Sequence, residues 1–585
     1  MKQIIGINLG HNSSAVFIKD DVQILRLEEE KIVQKKGYFG FPHESIKQIE
    51  ELIDLNFEVQ VVIGHLNIYE VFNCHRILIK FCGLESRTEY LFYFFDLFKF
   101  LFPKSRILRK TILVHFQKNL RSKSKIFNKI KFLDHHDSHA HSAVYDSGFD
   151  DCLVLTRDGK GDFSSGKNYF FKNGVLQEIG KLDFLKSYGL IYSAATKALG
   201  FKMLRHEGKI TGLAALGDPD KLSNLIMTQY ISNSFDHPNL RTKSNTLKSF
   251  VSNRFDDSEV SKYSLLLSSW IRFFESLSLE GSSNEDIAAG VQEFLELLVV
   301  KEVTQLLSIF EVPKNLALAG GVFANVKLNQ KIWEIGYFNR MFVQPAMDDA
   351  GTALGAAASE VKPQKMRSTL KDVVYLGSIK EPFDMNDLPV NFSLKLVEDF
   401  EVGFVVSNLI LSGNIIGIFS GRTEWGPRAL GNRSILANAF DKSIPKKLNE
   451  RLNRNDFMPF APIIRDIDAP IVFKDYTAGL IAAQFMTVTL RVKDQFKSFI
   501  PSVIHVDGTA RPQVLFKDDN PLIYSILNSI SEKNSIGIVL NTSFNLHEFP
   551  ILDSMSTALH ILKKGAVDYL LVEGRYLISL NLGSN

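Results

Sequence analysis

One order of elements occurs twice in the first third of this chain, and it constrains the fold more than any other feature. An apolar run at 3–8 leads into the polar segment 10–14, and two further strand-like runs joined by a turn complete the unit by residue 27. The same order returns at 152–179, where Asn173-Gly174 is a type I′ hairpin signal. The repeat predicts a duplicated fold of mixed α/β class.

In such a duplicated fold, the first polar loop of each unit faces a shared cleft. This arrangement is typical of actin-like and sugar-kinase-like nucleotide enzymes, in which two phosphate loops face each other. The alternative is that two unrelated β-meanders resemble one another by chance. The first interpretation predicts that residues 10–14 and the segment that begins at Asp158 lie on opposite sides of one site.

Two histidines in a predicted helix indicate a metal site. His135 and His139 stand four apart, so they lie on one face of a helix. Asp158 follows nineteen residues later at a strand end, and borderline divalent metals take N and O ligands of this kind. The glycines beside Asp158 suggest backbone amides offered to a phosphate. The alternative is a polar, histidine-rich helix end without a ligand.

The segments after two later strand-like runs add candidate ligands. Residues 287–310 have helical periodicity, with Ser283 or Asn284 as the N-cap, and a buried strand is expected at 316–319. Gly320 and Gly321 would then let the backbone approach a ligand closely, ahead of a helix N-terminus that favours anions or sugar oxygens. Asp349 precedes a helix of small residues and is a plausible fourth metal ligand.

The length of 585 residues predicts at least two domains. Residues 361–372 are polar and lack periodicity, so they are the predicted linker. The predicted domains are therefore 1–360 and 373–585.

The C-terminal half concentrates arginines in loops rich in glycine. Guanidinium groups match phosphate and carboxylate geometry bidentately, and ligand crevices form at the carboxyl ends of strands. The sequence therefore predicts a pocket for a polyanion such as a triphosphate, whereas the alternative is a set of surface salt bridges. The candidate residues are Arg422, Arg428, Arg433, Arg451, Arg454 and Arg511, with Asn541 and Ser543 after a buried strand.

Composition excludes several classes of protein. A net charge of +3 argues against a dedicated nucleic-acid binder, and the three cysteines form no CxxC pair. No signal peptide is evident, and the phenylalanine-rich run at 90–102 is too short to span a bilayer, so a cytoplasmic protein is expected. That run predicts a buried amphipathic helix, with an interfacial helix as the alternative.

Over nearly its whole length the chain resembles the O-carbamoyltransferases of nodulation-factor and antibiotic biosynthesis, of the tobramycin, cephamycin and novobiocin types. The resemblance rests on short motifs that occur in the family's order. They are 6–11 (Gly-Ile-Asn-Leu-Gly-His), 28–31 (Glu-Glu-Glu-Lys), the histidine pair, 158–161, 207–214, 320–325, 349–351, 426–431 (Gly-Pro-Arg-Ala-Leu-Gly), 459–462, 505–511 and 541–545.

The resemblance implies an actin-like (ASKHA) first domain, similar to the tRNA threonylcarbamoyl-transfer protein, and a YrdC-like α/β second domain. It implies that the second domain makes carbamoyl-adenylate from carbamoyl phosphate and Mg-ATP. The first domain would pass the carbamoyl group to a hydroxyl group at a metal site. The implied metal is iron as Fe(II), with manganese or zinc as alternatives, at His135, His139, Asp158 and Asp349.

The resemblance also implies roles for individual residues. His11 is the candidate general base, since histidine titrates near neutral pH, and its alternative role is a hydrogen bond to phosphate. Carbamoyl-adenylate in the first domain would be held by Lys209, Gly212, Gly320, Gly321 and Asn325. ATP or carbamoyl phosphate would be held by the arginines named above with Asn541 and Ser543. An ordinary structural hydrogen bond is the alternative for each.

Three positions depart from the family pattern and leave the layout of the ATP site open. Leu452 and Met458 stand where many relatives carry lysine and arginine, and Phe549 replaces a glutamate, with Glu548 one place earlier. An enzyme that carbamoylates a protein thiol is disfavoured by the scattered cysteines. A nucleotide-binding sensor or scaffold of the actin-like superfamily stays as the alternative. The expected acceptor is a natural product or sugar-like molecule, and a homodimer is a weak expectation.

Overall fold

The computed structural model describes residues 2–65, 124–162, 164–235, 259–361, 369–379, 382–453 and 460–581. Arg454, Met458 and the predicted helix at 90–102 lie outside these residues, as does most of the predicted linker. Below, the N-terminal region means the described residues up to 361, and the C-terminal region means those from 369 onward.

The first sheet of the N-terminal region has five strands in the order β4-β3-β1-β6-β7. Its central strand pairs antiparallel with β3 on one side and parallel with β6 on the other. A small two-stranded ribbon, β2 with β5, stands beside it. These strands are β1 Gln3–Asn8, β2 Gly10–His11, β3 Ser14–Lys19, β4 Val22–Glu28, β5 Phe39–Gly40, β6 Val59–Ile63 and β7 Lys129–Phe132.

The second sheet repeats this topology, because its order is β10-β9-β8-β11-β12. Its central strand is again antiparallel to the next strand and parallel to a later one. Asn173 and Gly174 both have positive φ, as a type I′ turn requires. The strands are β8 Asp151–Gly161, β9 Ser164–Lys172, β10 Val175–Leu182, β11 Asn315–Ala319 and β12 Arg340–Val343. The duplicated α/β fold predicted from the repeat is confirmed.

Ten helices are found in the described part of the N-terminal region. They are α1 Glu29–Ile32, α2 His43–Glu50, α3 His135–Ser147, α4 Tyr188–Ala198, α5 Glu207–Ala214, α6 Ser223–Phe235, α7 Glu259–Leu279, α8 Asn284–Ile309, α9 Val326–Trp333 and α10 Ala350–Ala358. The predicted N-cap Ser283 accepts a hydrogen bond from the amide of Asp286 at 3.1 Å.

Helix α10 packs against both α3 and β1 with almost no space between backbones. A Cβ atom on Gly355 would lie 1.6 Å from the carbonyl oxygen of Ser138 in α3, and one on Gly6 would lie 1.8 Å from the carbonyl oxygen of Ala353. Only glycine fits such an approach. The small-residue sequence therefore brings the start of α10, next to Asp349, close to the helix that carries the histidines.

The C-terminal region is built on one mixed sheet of eight strands, in the order β13-β22-β21-β14-β15-β20-β16-β19. Its strands are β13 Phe392–Leu396, β14 Ile416–Phe419, β15 Ser434–Ala437, β16 Ala461–Arg465, β19 Gln513–Leu515, β20 Ile538–Ser543, β21 Tyr569–Val572 and β22 Tyr576–Leu580, with β17 Leu490–Arg491 and β18 Thr509–Ala510 forming a separate ribbon.

The helices of this region are α11 Leu370–Val373, α12 Val402–Leu411, α13 Ile444–Leu452, α14 Ala469–Val472, α15 Asp494–Lys497, α16 Pro521–Asn534 and α17 Met555–Lys563. The two regions pack directly. The amide of Met341 donates to the carbonyl of Gly479 at 3.0 Å, and the rings of Phe342 and Phe485 meet edge to face. Among the described residues, no helix combines the length and apolarity that crossing a bilayer requires.

Two segments expected to be loops belong to strands. The segment that begins at Asp158 lies within β8, but its pairing with β9 shifts register between Arg157 and Gly161, so the residues between them bulge from the ladder. Asn541 and Ser543 lie within β20 and pair with β15. In both cases the polar side chains obscured the strand signal, whereas backbone pairing to a neighbouring strand continues it.

Candidate active site

Helix α3 presents two buried imidazoles from consecutive turns. The side chain of Asp134 caps the helix by accepting hydrogen bonds from the amides of His136 and Asp137 at 2.9 and 3.1 Å. The Nε2 atoms of His135 and His139 are 3.1 Å apart, and both side chains are buried. The spacing of four residues therefore places both histidines on one face of the helix, as the sequence predicted.

Two carboxylates complete a four-residue cluster. Asp158 Oδ2 lies 3.8 and 3.4 Å from the Nε2 atoms of His135 and His139. Asp349 Oδ1 lies 3.6 and 3.9 Å from the same two atoms. One ligand atom from each of the four residues falls within 4.8 Å of the others. The four predicted metal ligands thus come from α3, β8 and the start of α10 and converge on one point.

Hydrogen bonds fix the tautomer of His135 through two residues that the sequence analysis missed. Asn8 donates its Nδ2 hydrogens to the carbonyls of residues 11 and 12, so its Oδ1 is the acceptor for His65 Nε2 at 2.8 Å. His65 Nδ1 is then an acceptor, and His135 Nδ1 donates to it across 3.3 Å. Burial alone would lower the pKa of His135, but its hydrogen bond to Asp158 and the charges of Asp349 and Asp158 raise that pKa to about 9. A metal held at the cluster would take the place of the Nε2 proton, while the contact of Nδ1 with His65 keeps the ring oriented.

Backbone groups hold Asp158 and its surroundings. Its Oδ1 accepts from the amide of Gly159 at 2.6 Å, and its Oδ2 accepts from the amide of Gly321 at 3.1 Å. Gly320 has φ near +100°, and its amide donates to the carbonyl of Met347 at 2.7 Å. The predicted glycine pair therefore connects the bulge at Asp158 to the segment that leads to Asp349.

Burial and charge shift the pKa values in this cluster in opposite directions. Burial opposes ionisation of Asp158, but hydrogen bonds from His135 and His139 hold its pKa well below the usual range. Burial lowers the pKa of His139, and burial together with the charge of Asp158 raises the pKa of Asp349. Burial also lowers the pKa of His65 to about 3, so this ring is neutral at physiological pH.

The donor set fits a divalent cation. Two neutral imidazoles and two carboxylates carry a net charge of −2, and N/O sets of this kind suit iron, manganese and zinc. The Nε2 atoms already face the centre, and no lysine or arginine of the described residues lies within ion-pair distance of Asp158. The residues present would therefore hold a metal without rearrangement of their ligand atoms.

His11 lies at the edge of this cluster. Its Nδ1 atom is 3.8 Å from Asp349 Oδ2, and its side chain is partly exposed. The neighbouring Asn12 has φ near +49° and donates to Asp348 Oδ2 at 2.9 Å. The first polar loop thus faces the bulge at Asp158, as the repeat predicted.

A cavity of about 530 Å³ lies between the two regions. Gly212 and Gln292 line it from the N-terminal region, and His505 and Arg511 line it from the C-terminal region. Asn325 caps α9 and exchanges hydrogen bonds with Gln292, at 2.7 and 3.1 Å, just behind this wall. Two predicted sites, one from each region, therefore border a single cavity.

Lys209 stands apart from that cavity wall. Its ammonium lies 5.8 Å from the ring centroid of Phe201, in a cation–π contact. Its neighbours Gly208 and Thr211 on α5 do line the cavity.

Three of the predicted arginines have their guanidinium groups occupied by other partners. Arg422 donates to the carbonyls of Gly377, Ile24 and Leu376 at 2.8, 2.7 and 2.6 Å. Arg433 is buried, donates to backbone carbonyls at 2.7 to 3.1 Å, and stacks 3.8 Å from the ring of Phe419. Arg451 pairs with Asp568 at 2.9 Å.

The other two described arginines have few partners. Arg428 approaches the carbonyl of Ala324 at 3.3 Å and Met347 Sδ at 3.6 Å, and its buried Nε has no hydrogen-bond partner among the described residues. Arg511 makes no side-chain hydrogen bond or ion pair within the described ranges. Burial lowers the pKa of Arg428 to about 9 and that of Arg511 to about 10, so both are cationic at neutral pH.

The remaining predicted residues of the C-terminal region have mixed settings. Asn541 is buried and donates to the carbonyl of Ala429 at 2.9 Å, while its Oδ1 is buried without a partner. The Ser543 hydroxyl donates to Asn545 Oδ1 at 2.5 Å. Leu452 is buried, whereas Phe549 is 53% exposed, so the two departures from the family pattern have different surroundings.

The sequence analysis also missed Glu424, which organises the arginine-rich loop. Its Oε1 accepts hydrogen bonds from the amides of Leu430, Asn432 and Arg433 at 2.8 to 2.9 Å, and its side chain is buried. In the sequence, the signal for Glu424 was an acidic residue between glycines, in a loop whose other charged residues are arginines. For His65, the signal was a histidine two residues after the apolar run of β6, which the structure places parallel to β1.

The fold and the site together define a two-region α/β enzyme with a buried two-histidine, two-aspartate cluster. The chain matches the model described as "Carbamoyltransferase N-terminus" over residues 3–358 and the model described as "Carbamoyltransferase C-terminus" over residues 407–579. The chain therefore belongs to the carbamoyltransferase family, and it is an enzyme of the transferase class.

Individual relatives support the same assignment. The chain is 30% identical to an uncharacterized protein of Methanocaldococcus jannaschii over 98% of its own length and 99% of that protein. It is 29% identical to nodulation protein NolNO of Sinorhizobium fredii, covering 98% of this chain and 80% of that one. It is 32% identical to nodulation protein NolO of Bradyrhizobium diazoefficiens, covering 76% and 78%.

Solved structures show a more distant similarity. Component A of (R)-2-hydroxyglutaryl-CoA dehydratase from Acidaminococcus fermentans matches with a TM-score of 0.30 and 13% identity, over 61% of this chain and 97% of that one. Full-length HypF in its phosphate- and nucleotide-bound form matches with a TM-score of 0.29 and 13% identity, over 61% and 55%.

Proposed function

We propose that this protein is an ATP-dependent O-carbamoyltransferase that forms carbamoyl-adenylate from carbamoyl phosphate and ATP. The carbamoyl group would then pass to a hydroxyl of a small, natural-product or sugar-like acceptor. The observation that carries this proposal is the cavity between the regions, which is lined both by Gly212 of α5 and by Arg511, a cation without a side-chain partner among the described residues. A volume of about 530 Å³ is in the range of small-molecule sites.

In the first step, carbamoyl phosphate gives up its phosphate to water and leaves carbamate. A carbamate oxygen then attacks the α-phosphorus of ATP, the bond to the β-phosphate breaks, and pyrophosphate departs. Arg511 and Arg428 are the described cations best suited to hold these phosphates, because their donors lack carboxylate partners in the described structure.

In the second step, the acceptor hydroxyl attacks the carbamoyl carbon, the bond from that carbon to the adenylate oxygen breaks, and AMP leaves. The hydroxyl proton would go to His11, which lies beside the cluster and is partly exposed. A divalent metal at His135, His139, Asp158 and Asp349 would supply Lewis-acid polarisation of the transferring group. We propose Fe(II) as this metal, with manganese and zinc as alternatives.

We also propose that residues 1–360 form the transfer domain, 361–372 a linker, and 373–585 the adenylate-forming domain. The sheet topology supports these boundaries. All strands of the two five-stranded sheets end by Val343, and those of the eight-stranded sheet begin at Phe392.

The direct test is to incubate the purified, metal-loaded protein with ATP and labelled carbamoyl phosphate. The expected products are AMP and pyrophosphate, formed only when both substrates are present. A panel of aminoglycosides, sugars and nucleosides would then be screened by mass spectrometry for a gain of one carbamoyl group. ADP formation, or ATP binding without turnover, would refute the proposal, and binding alone would favour the nucleotide sensor.

A further inference from the structure

The Glu-Glu-Glu-Lys run at 28–31 has no part in the proposed chemistry, yet Glu28, Glu29 and Lys31 are buried. Two of its carboxylates accept hydrogen bonds from nearby backbone amides of the N-terminal region. Glu29 accepts from the amides of Glu44 and Ser45 at the start of α2, both at 2.9 Å, and Glu30 accepts from the amide of Gly37 at 2.6 Å. Their contacts stay within the N-terminal region.

The other two side chains reach into the C-terminal region. Lys31 Nζ donates to the carbonyls of Glu424 and Gly426 at 2.7 and 2.6 Å and to Glu28 Oε1 at 2.9 Å. The same Glu28 oxygen accepts from the amide of Gly426 at 2.5 Å. The buried Glu28–Lys31 ion pair therefore hydrogen-bonds to both the amide and the carbonyl group of Gly426.

The opposite side of this loop presses on the segment that leads to Asp349. Gly426 has φ near +98°, and a Cβ atom there would lie 2.7 Å from the carbonyl oxygen of Pro345. The loop is thus confined between α1 on one side and the chain at Pro345 on the other. Such confinement leaves its backbone little freedom to shift.

Arg428 follows two residues later and lies between the two proposed sites. Its guanidinium contacts the carbonyl of Ala324, which lines the cavity, and the Sδ of Met347, which stands two residues before Asp349. Its own polar contacts are long, at 3.3 and 3.6 Å, and none is to a carboxylate. The position of its guanidinium group therefore depends on the loop rather than on an ion pair of its own.

We infer that Glu28 and Lys31 are positioning residues that hold Arg428 in place for phosphate binding across the junction of the two regions. This inference rests on the proposed function, because Arg428 is taken to bind ATP or carbamoyl phosphate. A purely structural ion pair would stabilise the fold without any specific link to Arg428.

The test is a double-mutant cycle of Lys31→Met and Arg428→Lys, read by ATP–pyrophosphate exchange that requires carbamoyl phosphate. Each single variant is expected to lose about 10- to 100-fold in kcat/KM, since small misplacements of a catalytic group have effects of this size. In the double variant, Arg428→Lys should add less than about threefold, because the misplaced arginine no longer contributes. Lys31→Arg should recover part of the activity.

The control is Glu548→Gln, combined in the same way with Arg428→Lys. Glu548 also joins the two regions, through Arg205 at 3.3 Å and His206 at 3.2 Å, but it contacts neither Gly426 nor Arg428. Its effect should multiply with that of Arg428→Lys. Thermal unfolding of every variant reports on the fold, and Glu28→Gln, which keeps an acceptor oxygen, replaces Lys31→Met if that variant does not fold.

Independent, multiplicative losses for Lys31→Met or Glu28→Gln with Arg428→Lys would overturn the inference, as would unchanged exchange in the single variants. The wild-type arm separates this failure from failure of the proposed function. Exchange that is absent in the wild-type protein contradicts the carbamoyl-adenylate route itself. Exchange that is present, but insensitive to the ion pair, contradicts only the positioning role.

Discussion

The metal cluster of the N-terminal region and the candidate arginines of the C-terminal region differ in how well the sequence predicted their arrangement in space. All four predicted metal ligands converge within 4.8 Å. Of the five candidate arginines that the structure describes, three bond to backbone carbonyls or an aspartate, and two are left for a ligand. Both groups were chosen by the same reasoning, from residue type and spacing.

The difference has a physical cause. Histidine and aspartate have short side chains, and here they are fixed to a helix, a strand bulge and a helix start. Arginine has a long side chain with five N–H donors, so its guanidinium group can hydrogen-bond to whichever acceptors the surrounding loop provides. A loop closed by Glu424 offers several carbonyls at once, and Arg433 takes two of them from Ser420 and Gly421.

The largest effect should follow from removing a ligand of the cluster. We expect His139→Ala to weaken binding of Mn²⁺ or Co²⁺, measured by titration calorimetry, by at least about 1000-fold. Outer-shell partners alone typically account for 10- to 100-fold. His141→Ala, on the same helix but outside the cluster, should bind metal normally. Unchanged metal affinity in His139→Ala would contradict the assignment of this cluster as the metal site.

The rigid packing behind the cluster gives the next effect. Gly355→Ala places a Cβ atom 1.6 Å from the Ser138 carbonyl oxygen, so α10 and α3 must separate. We expect the free energy of unfolding, from urea titration, to fall by about 3 kcal/mol. Gly208→Ala, where no atom lies within 4 Å, should change it by less than about 1 kcal/mol. Equal stability of the two variants would show that close packing is not what aligns the ligands.

The two kinds of arginine should separate activity from stability. Arg511→Met should reduce kcat/KM for ATP in the exchange assay by about 30-fold, the loss expected for a charge-assisted hydrogen bond of about 2 kcal/mol, with little change in Tm. Arg433→Met should instead lower the free energy of unfolding by about 2 kcal/mol, because buried carbonyls lose their donors. The opposite pattern would reverse the assignment of these residues.

The smallest effect concerns acid stability of the C-terminal region. Burial lowers the pKa of His505 to about 4, below its ordinary value of about 6.5. Between these values the unfolded chain binds the proton and the folded protein does not, so stability falls as the pH drops from about 6.5 to 4. The full difference between these two pKa values corresponds to about 3 kcal/mol for a fully buried group. Because His505 is only partly buried, we expect His505→Gln to remove about 1 kcal/mol of that fall, measured as the difference between the two urea titrations across this range.

For this pH effect, two identical pH profiles would indicate that His505 titrates normally. The affinity for ATP should not change with the titration of His505, because the imidazole of the folded protein is neutral above about pH 4.

Much of the fold was readable from the chain because its signals are local. The strand-like runs in 3–27 and 152–179, the Asn173-Gly174 turn and the Ser283 cap each depend on neighbouring residues, and each matches the structure. The strand assignment of Asn541 was missed because its ladder partner, Leu436, lies more than a hundred residues away. Only pairing in space makes that segment a strand.

The sequence by itself determined which residue types are available at the cluster, since His135 and His139 share a helix face through local geometry. Only the tertiary structure decided that Asn8 and His65 orient His135, that Glu424 gathers the arginine loop, and that Lys31 reaches Gly426 in the other region. The contacts of Asn8, His65 and Lys31 join residues 57 to 395 positions apart, whereas those of Glu424 span six to nine positions within one loop. Such contacts depend on how sheets and helices pack, which no short stretch of sequence encodes.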